Sequence, residues 1–404
     1  MLTDPITTYQ PLDVGQIAAY VHEQPALRGL LAAGALQVDE VGDGNLNQVF
    51  VVRNDPARPG LVLKQSLPWV RVHGRSWPLT LERARREAHA YEIYQHFAAE
   101  FIPRYHGFDG ERYVIAMEDL ADLRVWRTAL NAGEPHAGAA EAMGAFVARI
   151  AFHTSDFGLP PEERKLQAAA SVNPELCRIT EDLVLSEPYT EHEHNWHHPA
   201  LQALADDLRA DADVHREIGM LKHRFLTHAE ALIHGDLHTG SVMVGGGRVV
   251  AIDPEFAFYG PIGFDLGALW ANAIIAAARA DRLERDATFR AHVAAILPAS
   301  WSAFRAELGR LWPQRLDRFY TDAFLERWVA HVWRDGLGYA AAEAIRRMIG
   351  YAHVSDIETL EEPARSSAAA AVLRAARGLL LERDRIDTPA DAWARVADEL
   401  ARSR

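Results

Sequence analysis

The sequence predicts an α+β fold in two lobes, a small β-rich N-terminal lobe over residues 1–120 and a larger, mainly helical C-terminal lobe over residues 121–404. Three observations predict it. In the first third, the runs Gln48 to Arg53, Leu61 to Ser66 and Arg112 to Met117 are each bounded by Gly, Pro, Asn or Asp, the punctuation of strands and turns. Among them lies Leu81 to Phe97, rich in Ala, Glu, Arg and Leu with no Gly or Pro, which predicts one helix carried by the small sheet. From about Ala137 onward, Ala, Leu, Glu and Arg recur at helical spacing, broken by short loops and by strand-like runs at 242–244 and 249–252. The boundary falls near Glu118 to Asp122.

Composition narrows the function before any motif is read. With 404 residues and 49% apolar content the chain buries a sizeable core. A formal charge of −14 excludes a broad nucleic-acid-binding surface, which needs clustered Lys and Arg, but permits a local cationic pocket. The single cysteine, Cys177, forms no intrachain disulfide and suits a reducing compartment. Met1 to Gln10 lacks the basic stretch and apolar run of a secretory signal, and no segment reaches about 18 uninterrupted apolar residues. The most apolar stretch, Leu266 to Ala278, is interrupted by Asn272 and reads as a buried core helix. The expectation is a cytoplasmic protein with neither a membrane nor a nucleic-acid partner.

The residues that carry chemistry start at His234-Gly235-Asp236-Leu237-His238-Thr239-Gly240-Ser241, followed by a predicted hairpin and then Asp253-Pro254-Glu255. Asp236 can accept the proton of an attacking hydroxyl, while carboxylates one hairpin later hold the Mg²⁺ that neutralises transferring phosphates. The jobs need separate carboxylates, because one bound tightly to metal is a poor base. This constellation resembles the catalytic and metal loops of the protein-kinase-like superfamily, as used by aminoglycoside and choline phosphotransferases. Two departures stand out: Ser241 where most members have a metal-binding Asn, and Pro254-Glu255 where they have a variable residue and Gly. The gained carboxylate suggests that Asp253 and Glu255 share the metal, since Mg²⁺ favours hard oxygens. A nucleotide-binding relative without turnover is the alternative that Ser241 leaves open.

Upstream, Gly42-Asp43-Gly44-Asn45-Leu46-Asn47 precedes a strand, where a glycine-rich loop would fold over ATP phosphates; an ordinary hairpin turn explains the same residues. Lys64, among apolar neighbours, needs charged partners, which ATP phosphates and a helix carboxylate would supply. By similarity to the kinase lysine–glutamate pair, Glu87 is that carboxylate, although Glu87 reads equally as a solvated charge on its helix. The resemblance also implies that Glu118, Asp119 and Leu120 meet adenine through their backbone.

The run Trp69 to Thr80 is an insertion of polar and aromatic character. With Gly42 to Asn47, His234 to Ser241 and the stretch Asp253 to Asp265, it resembles the 5-methylthioribose kinases, whose tryptophan-bearing loop would place Trp77 at the acceptor. That resemblance implies ATP and Mg²⁺ as cofactors, phosphorylation of the anomeric hydroxyl of 5-methylthioribose in methionine salvage, and a homodimer. It also places Arg346 or Arg347 at the sugar, against the alternative of a solvated pair, and makes Asp265 a brace for the catalytic loop. An aminoglycoside- or other sugar-directed phosphotransferase is the nearest alternative enzyme. Finally, Glu191 to His198 carries four histidines, but their spacing is not that of a zinc helix or finger, and it reads as a solvated loop.

Overall fold

In a computed structural model the described residues are 9–31, 34–42, 46–55 and 58–402. The N-terminal part is a five-stranded antiparallel sheet of order β1-β2-β3-β5-β4, with β1 Gln37–Val41, β2 Asn47–Arg53, β3 Leu61–Ser66, β4 Tyr105–Asp109 and β5 Val114–Glu118. Strand alternation sorts its side chains. Phe50, Val52, Leu61, Leu63, Val114 and Ala116 form one apolar cluster with Ile17, Tyr20 and Val21 of helix α1, Val14–Glu23. The opposite face carries Val62, Ile115 and Met117 against Ala88 and Tyr91 of helix α2, Glu82–Phe97. Lys64, paired with Ile115 across the ladder, belongs to this second face and therefore points at α2.

Helix α1 and strands β1 and β4 were not legible in the sequence. β1 is an almost wholly exposed edge, so no alternation marks it, and β4 carries Gly107 at φ +143 beside a break in register. The other strands and α2 match the sequence reading to within one or two residues.

Below the sheet, β6 Arg124–Val125 leads into helix α3, Trp126–Ala132, and then α4, Ala139–Thr154, and α5, Pro174–Leu183. Two small sheets frame the loops that matter here. One pairs β7 Ala231–Ile233 with β10 Phe258–Gly260, and the other joins β6 to the hairpin β8 Val242–Gly245 and β9 Arg248–Ala251. Helix α6, Gly263–Arg282, is the centre of the lobe and buries every residue from 263 to 278, as the run from Leu266 to Ala278 predicts. Around it lie α7 Ile296–Leu311, α8 Asp322–Ile349 and α9 Ala364–Glu382. α6 and α8 cross closely because glycines meet there: a Cβ on Gly267 would lie 2.6 Å from Tyr339 Cβ, and one on Gly336 would lie 2.5 Å from the Trp270 ring. Burying each large apolar side chain of this core is worth roughly 1.5–3 kcal/mol. Among the described residues, no helix is long and apolar enough to cross a membrane.

Candidate active site

The loop between β7 and β8 turns sharply at Gly235, whose φ of +79 and whose missing Cβ, which would lie 2.3 Å from Phe256 O, both call for glycine. Asp265, in the first turn of α6, accepts from the backbone N–H of His234 at 2.7 Å and of Gly235 at 2.9 Å, which is the bracing role the sequence suggested. The loop presents Asp236 with its side chain about one-third exposed, 31%. Beside it, His238 Nε2 stands 3.5 Å from Asp236 Oδ2, and His238 Nδ1 stands 3.1 Å from Ser241 Oγ. Burial, with Arg127 and Arg347 adding to it, lowers the His238 pKa well below its ordinary value and keeps the ring neutral. A Ser241 hydroxyl donating to Nδ1 then leaves the ring proton on Nε2, facing Asp236.

Across the cleft, Lys64 Nζ donates to Glu87 Oε1 at 2.8 Å and to Asp253 Oδ1. Burial alone would lower the Lys64 pKa, but Asp253, Glu87 and Glu255 hold it well above its ordinary value. Glu87 is buried rather than solvated, so its surface-charge reading falls. Asp253 adopts φ +68, unusual outside glycine, and its N–H donates to Tyr91 Oη at 3.0 Å. Glu255, also buried, accepts from Asn47 Nδ2 at 3.0 Å and lies 3.4 Å from Arg83 Nε. Asn47 in turn accepts from Ser66 Oγ at 3.1 Å and from Arg83 Nη2 at 2.8 Å. Carboxylate oxygens of Glu87, Asp253 and Glu255 converge within 4.8 Å of one another. Burial pushes Glu87 up to about 8, with Lys64 opposing and the two acidic neighbours reinforcing, and its Oε2 is buried without a hydrogen-bond partner. Three hard-oxygen carboxyl groups converging on one point, with Glu87 Oε2 buried and unpartnered, fit a Mg²⁺ ion.

Arg346 and Arg347 are both buried, at 8% and 7% exposed, so the solvated alternative is corrected. Glu343, one turn earlier on α8, holds them: Arg346 Nε donates to Oε2 at 2.6 Å and Arg347 Nε to Oε1 at 2.7 Å. Burial would raise the Glu343 pKa, but the two guanidiniums keep it below the ordinary carboxylate range. Trp77 follows the single turn Gly74–Ser76 and stacks on His194 with ring centroids 5.7 Å apart. Lys64, Trp77, Asp236, Asp253, Glu255, Arg346 and Arg347 all line one cleft of about 720 Å³.

The segment joining the lobes uses its side chains structurally. Asp119 accepts from Arg53 Nε at 2.7 Å, Gly60 N at 3.0 Å and Ala121 N at 3.1 Å; Glu118 pairs with Arg248 at 3.0 Å; Leu120 is buried. Pro254 is buried between the two metal-loop carboxylates, and Gly44 and Asn45 lie outside the described residues. Sequence reasoning missed Arg83, Tyr91, His238 and Glu343. Only Glu343 left a sequence signal, standing three and four residues before an arginine pair on one helix.

The profile of the phosphotransferase enzyme family matches residues 37–304. A methylthioribose kinase of Geobacillus kaustophilus is 39% identical over 404 residues, covering 99% of each chain. This chain belongs to the methylthioribose kinase family. Methylthioribose kinases of Yersinia pseudotuberculosis and Klebsiella pneumoniae are each 39% identical, over 375 and 382 residues, covering 89% of this chain and 89% and 92% of theirs. Among solved structures, a spectinomycin phosphotransferase with ADP and spectinomycin aligns over 93% of this chain and all of its own, at 10% identity and a TM-score of 0.42. The chain is thus an ATP-dependent kinase built from a small antiparallel sheet and a helical lobe, as the sequence predicted.

Proposed function

We propose that this kinase transfers the γ-phosphoryl group of ATP to the anomeric hydroxyl of 5-methylthioribose, giving 5-methylthioribose 1-phosphate for methionine salvage. One observation carries the reading: a base candidate, a carboxylate-held lysine and a buried arginine pair line the same cleft. Asp236 accepts the hydroxyl proton, with His238 orienting its carboxylate. Lys64, fixed by Glu87, binds the phosphates, and the backbone of Glu118 to Leu120 receives adenine. Arg346 and Arg347 hold the ribose hydroxyls with guanidinium forks that Glu343 aims, and Trp77 covers the acceptor. Asp253 and Glu255, the latter steadied by Asn47 and Arg83, would hold Mg²⁺, which supplies charge neutralisation at the transferring phosphates. Gly44 and Asn45 belong to the phosphate-covering loop in this reading. The lobe boundary falls at residues 120 and 121, so each lobe contributes to both ends of the transfer: Lys64 and Trp77 from the first, Asp236, Asp253, Glu255, Arg346 and Arg347 from the second.

The test is ATP consumption by purified protein against 5-methylthioribose, ribose, choline and an aminoglycoside. Turnover is expected with methylthioribose, and turnover with the aminoglycoside alone would overturn the assignment. We further propose a cytoplasmic homodimer without nucleic-acid partners. The charge of −14 and the lone cysteine support the location and the lack of nucleic acid, and family resemblance supports the dimer. Light scattering should return about twice the 44.9 kDa chain mass.

A further inference from the structure

Outside the cleft's own carboxylates, Glu187, His192 and His194 bring three metal-ligating atoms within 4.8 Å of one another. Their spacing along the chain matches no zinc helix, because the third ligand comes from a separate turn. Glu187 opens the turn Glu187–Tyr189, and its Oε2 lies 3.0 Å from His194 Nδ1 and 3.4 Å from His192 Nδ1. Ligand atoms sharing a tetrahedral ion at about 2.0–2.1 Å stand about 3.3 Å apart. The two measured separations are of that size. Asn195 clips the loop shut by donating from Nδ2 to the carbonyls of Glu187 at 2.7 Å and Thr190 at 2.9 Å, so the ligands are held in place before an ion arrives.

A metal ion would replace the hydrogen bonds now made at the two histidine Nδ1 atoms, displacing the His194 Nδ1 proton that faces Glu187 Oε2 at 3.0 Å. The backbone N–H of His194 donates to His192 Nδ1 at 3.3 Å, which marks that nitrogen as unprotonated. This long bond is one a metal–nitrogen bond can replace. The side chains are partly open, at 13% for Glu187, 35% for His192 and 34% for His194, leaving room for water as a further ligand. Two imidazoles and one carboxylate select a borderline divalent ion such as Zn²⁺ over Mg²⁺, unlike the all-oxygen cluster near Lys64.

The position gives the site a consequence. The His194 ring stacks on Trp77 at an interplanar angle of 17°, and both rings stand within 6 Å of Tyr351, at 5.5 and 5.9 Å, while Tyr351 hydrogen-bonds His73 of the tryptophan-bearing loop. His194 is thus part of the seat on which that loop rests.

We propose that Glu187, His192 and His194 bind one divalent transition-metal ion of the Zn²⁺ class, and that the bound ion fixes His194 as the seat for Trp77. Full-length protein, stripped by chelator and held in excess Mg²⁺, is dialysed against Zn²⁺. Wild type should bind one more Zn²⁺ per chain than His192→Ala or Glu187→Gln, or bind it at least about tenfold more tightly. Equal uptake by all three proteins overturns the site. The seat rests on the reading of Trp77 as an acceptor-side residue and is measured separately. One equivalent of Zn²⁺ should lower the wild-type KM for 5-methylthioribose and leave the KM for ATP unchanged, and should alter neither KM in His192→Ala, whose activity without Zn²⁺ should equal that of wild type. An acceptor KM indifferent to bound Zn²⁺ overturns the seat. Dialysis uses no substrate, so failure of the acceptor assignment leaves the binding result intact.

Discussion

Asp236 stands at the end of a loop that Asp265 grips from beneath, and the neutral His238 beside it offers a hydrogen-bond donor rather than a competing charge. Asp236→Asn keeps the shape and removes the proton acceptor. ATP binding should survive while kcat falls by at least about a hundredfold, the usual worth of a positioned base; near-normal turnover would remove Asp236 from that role. Glu255 poses a different question, because Asn47 and Arg83 already engage its carboxylate. If it ligates Mg²⁺, Glu255→Gln should raise the Mg²⁺ concentration for half-maximal rate and lower the maximal rate, with Glu255→Ala worse. An unchanged Mg²⁺ requirement together with lost sugar affinity would make it an acceptor contact instead. The roles proposed for Asp236, Asp253 and Lys64 are readable locally, because the residues that suggest each sit within a short stretch of chain. The Asn47–Glu255 bond spans 208 residues, and nothing local announces it.

Elements carry these side chains, and their contacts set how much change they tolerate. At the crossing of α6 and α8, an Ala at position 267 would press its Cβ against Tyr339 Cβ at 2.6 Å and Gly336 O at 2.8 Å. Gly267→Ala should therefore destabilise the fold by about 1–3 kcal/mol, as overpacked cores do, visible as a lower urea midpoint at unchanged slope. An unchanged midpoint would mean that the helices separate at little cost. Helix α8 also shows where periodicity misleads. An apolar stripe over Ala341, Ile345, Met348 and Ile349 puts Arg347 on the far side, toward solvent, yet neighbours cover the helix all round from Asp335 to Ile349 and Glu343 pairs with both guanidiniums. In the loop from Glu191 to His198, folding brings Glu187 beside His192 and His194, a neighbour that the loop's own spacing does not announce.

At the scale of the whole molecule, one buried carboxylate links stability to pH away from the cleft. Asp335 on α8 is pushed up to about 7 by burial first, with Glu230 adding to it and Arg224 and Arg383 opposing. A folded pKa above the ordinary 3.8 means that its contribution is fully present below about pH 3.8 and is lost as pH rises through about 7. The span corresponds to about 4 kcal/mol at most. Asp335→Asn should flatten the fall in thermal stability between about pH 4 and pH 7, while Arg224 keeps Glu230 at 2.9 Å as its partner. Parallel stability–pH curves for the two proteins would show that Asp335 ionises freely in the fold.

Chain order alone determines the two-lobed plan and nominates the proposed base, metal-loop acids and phosphate lysine, because strand alternation, helix-forming runs and loop chemistry are written within a few residues. Folding settles which neighbours complete those groups. Glu87 meets Lys64 because alternation along β3 turns the lysine toward α2. Arg83 and Tyr91 join the site through packing, not proximity in sequence to the residues they meet, and a buried charge keeps its place only where three-dimensional neighbours neutralise it.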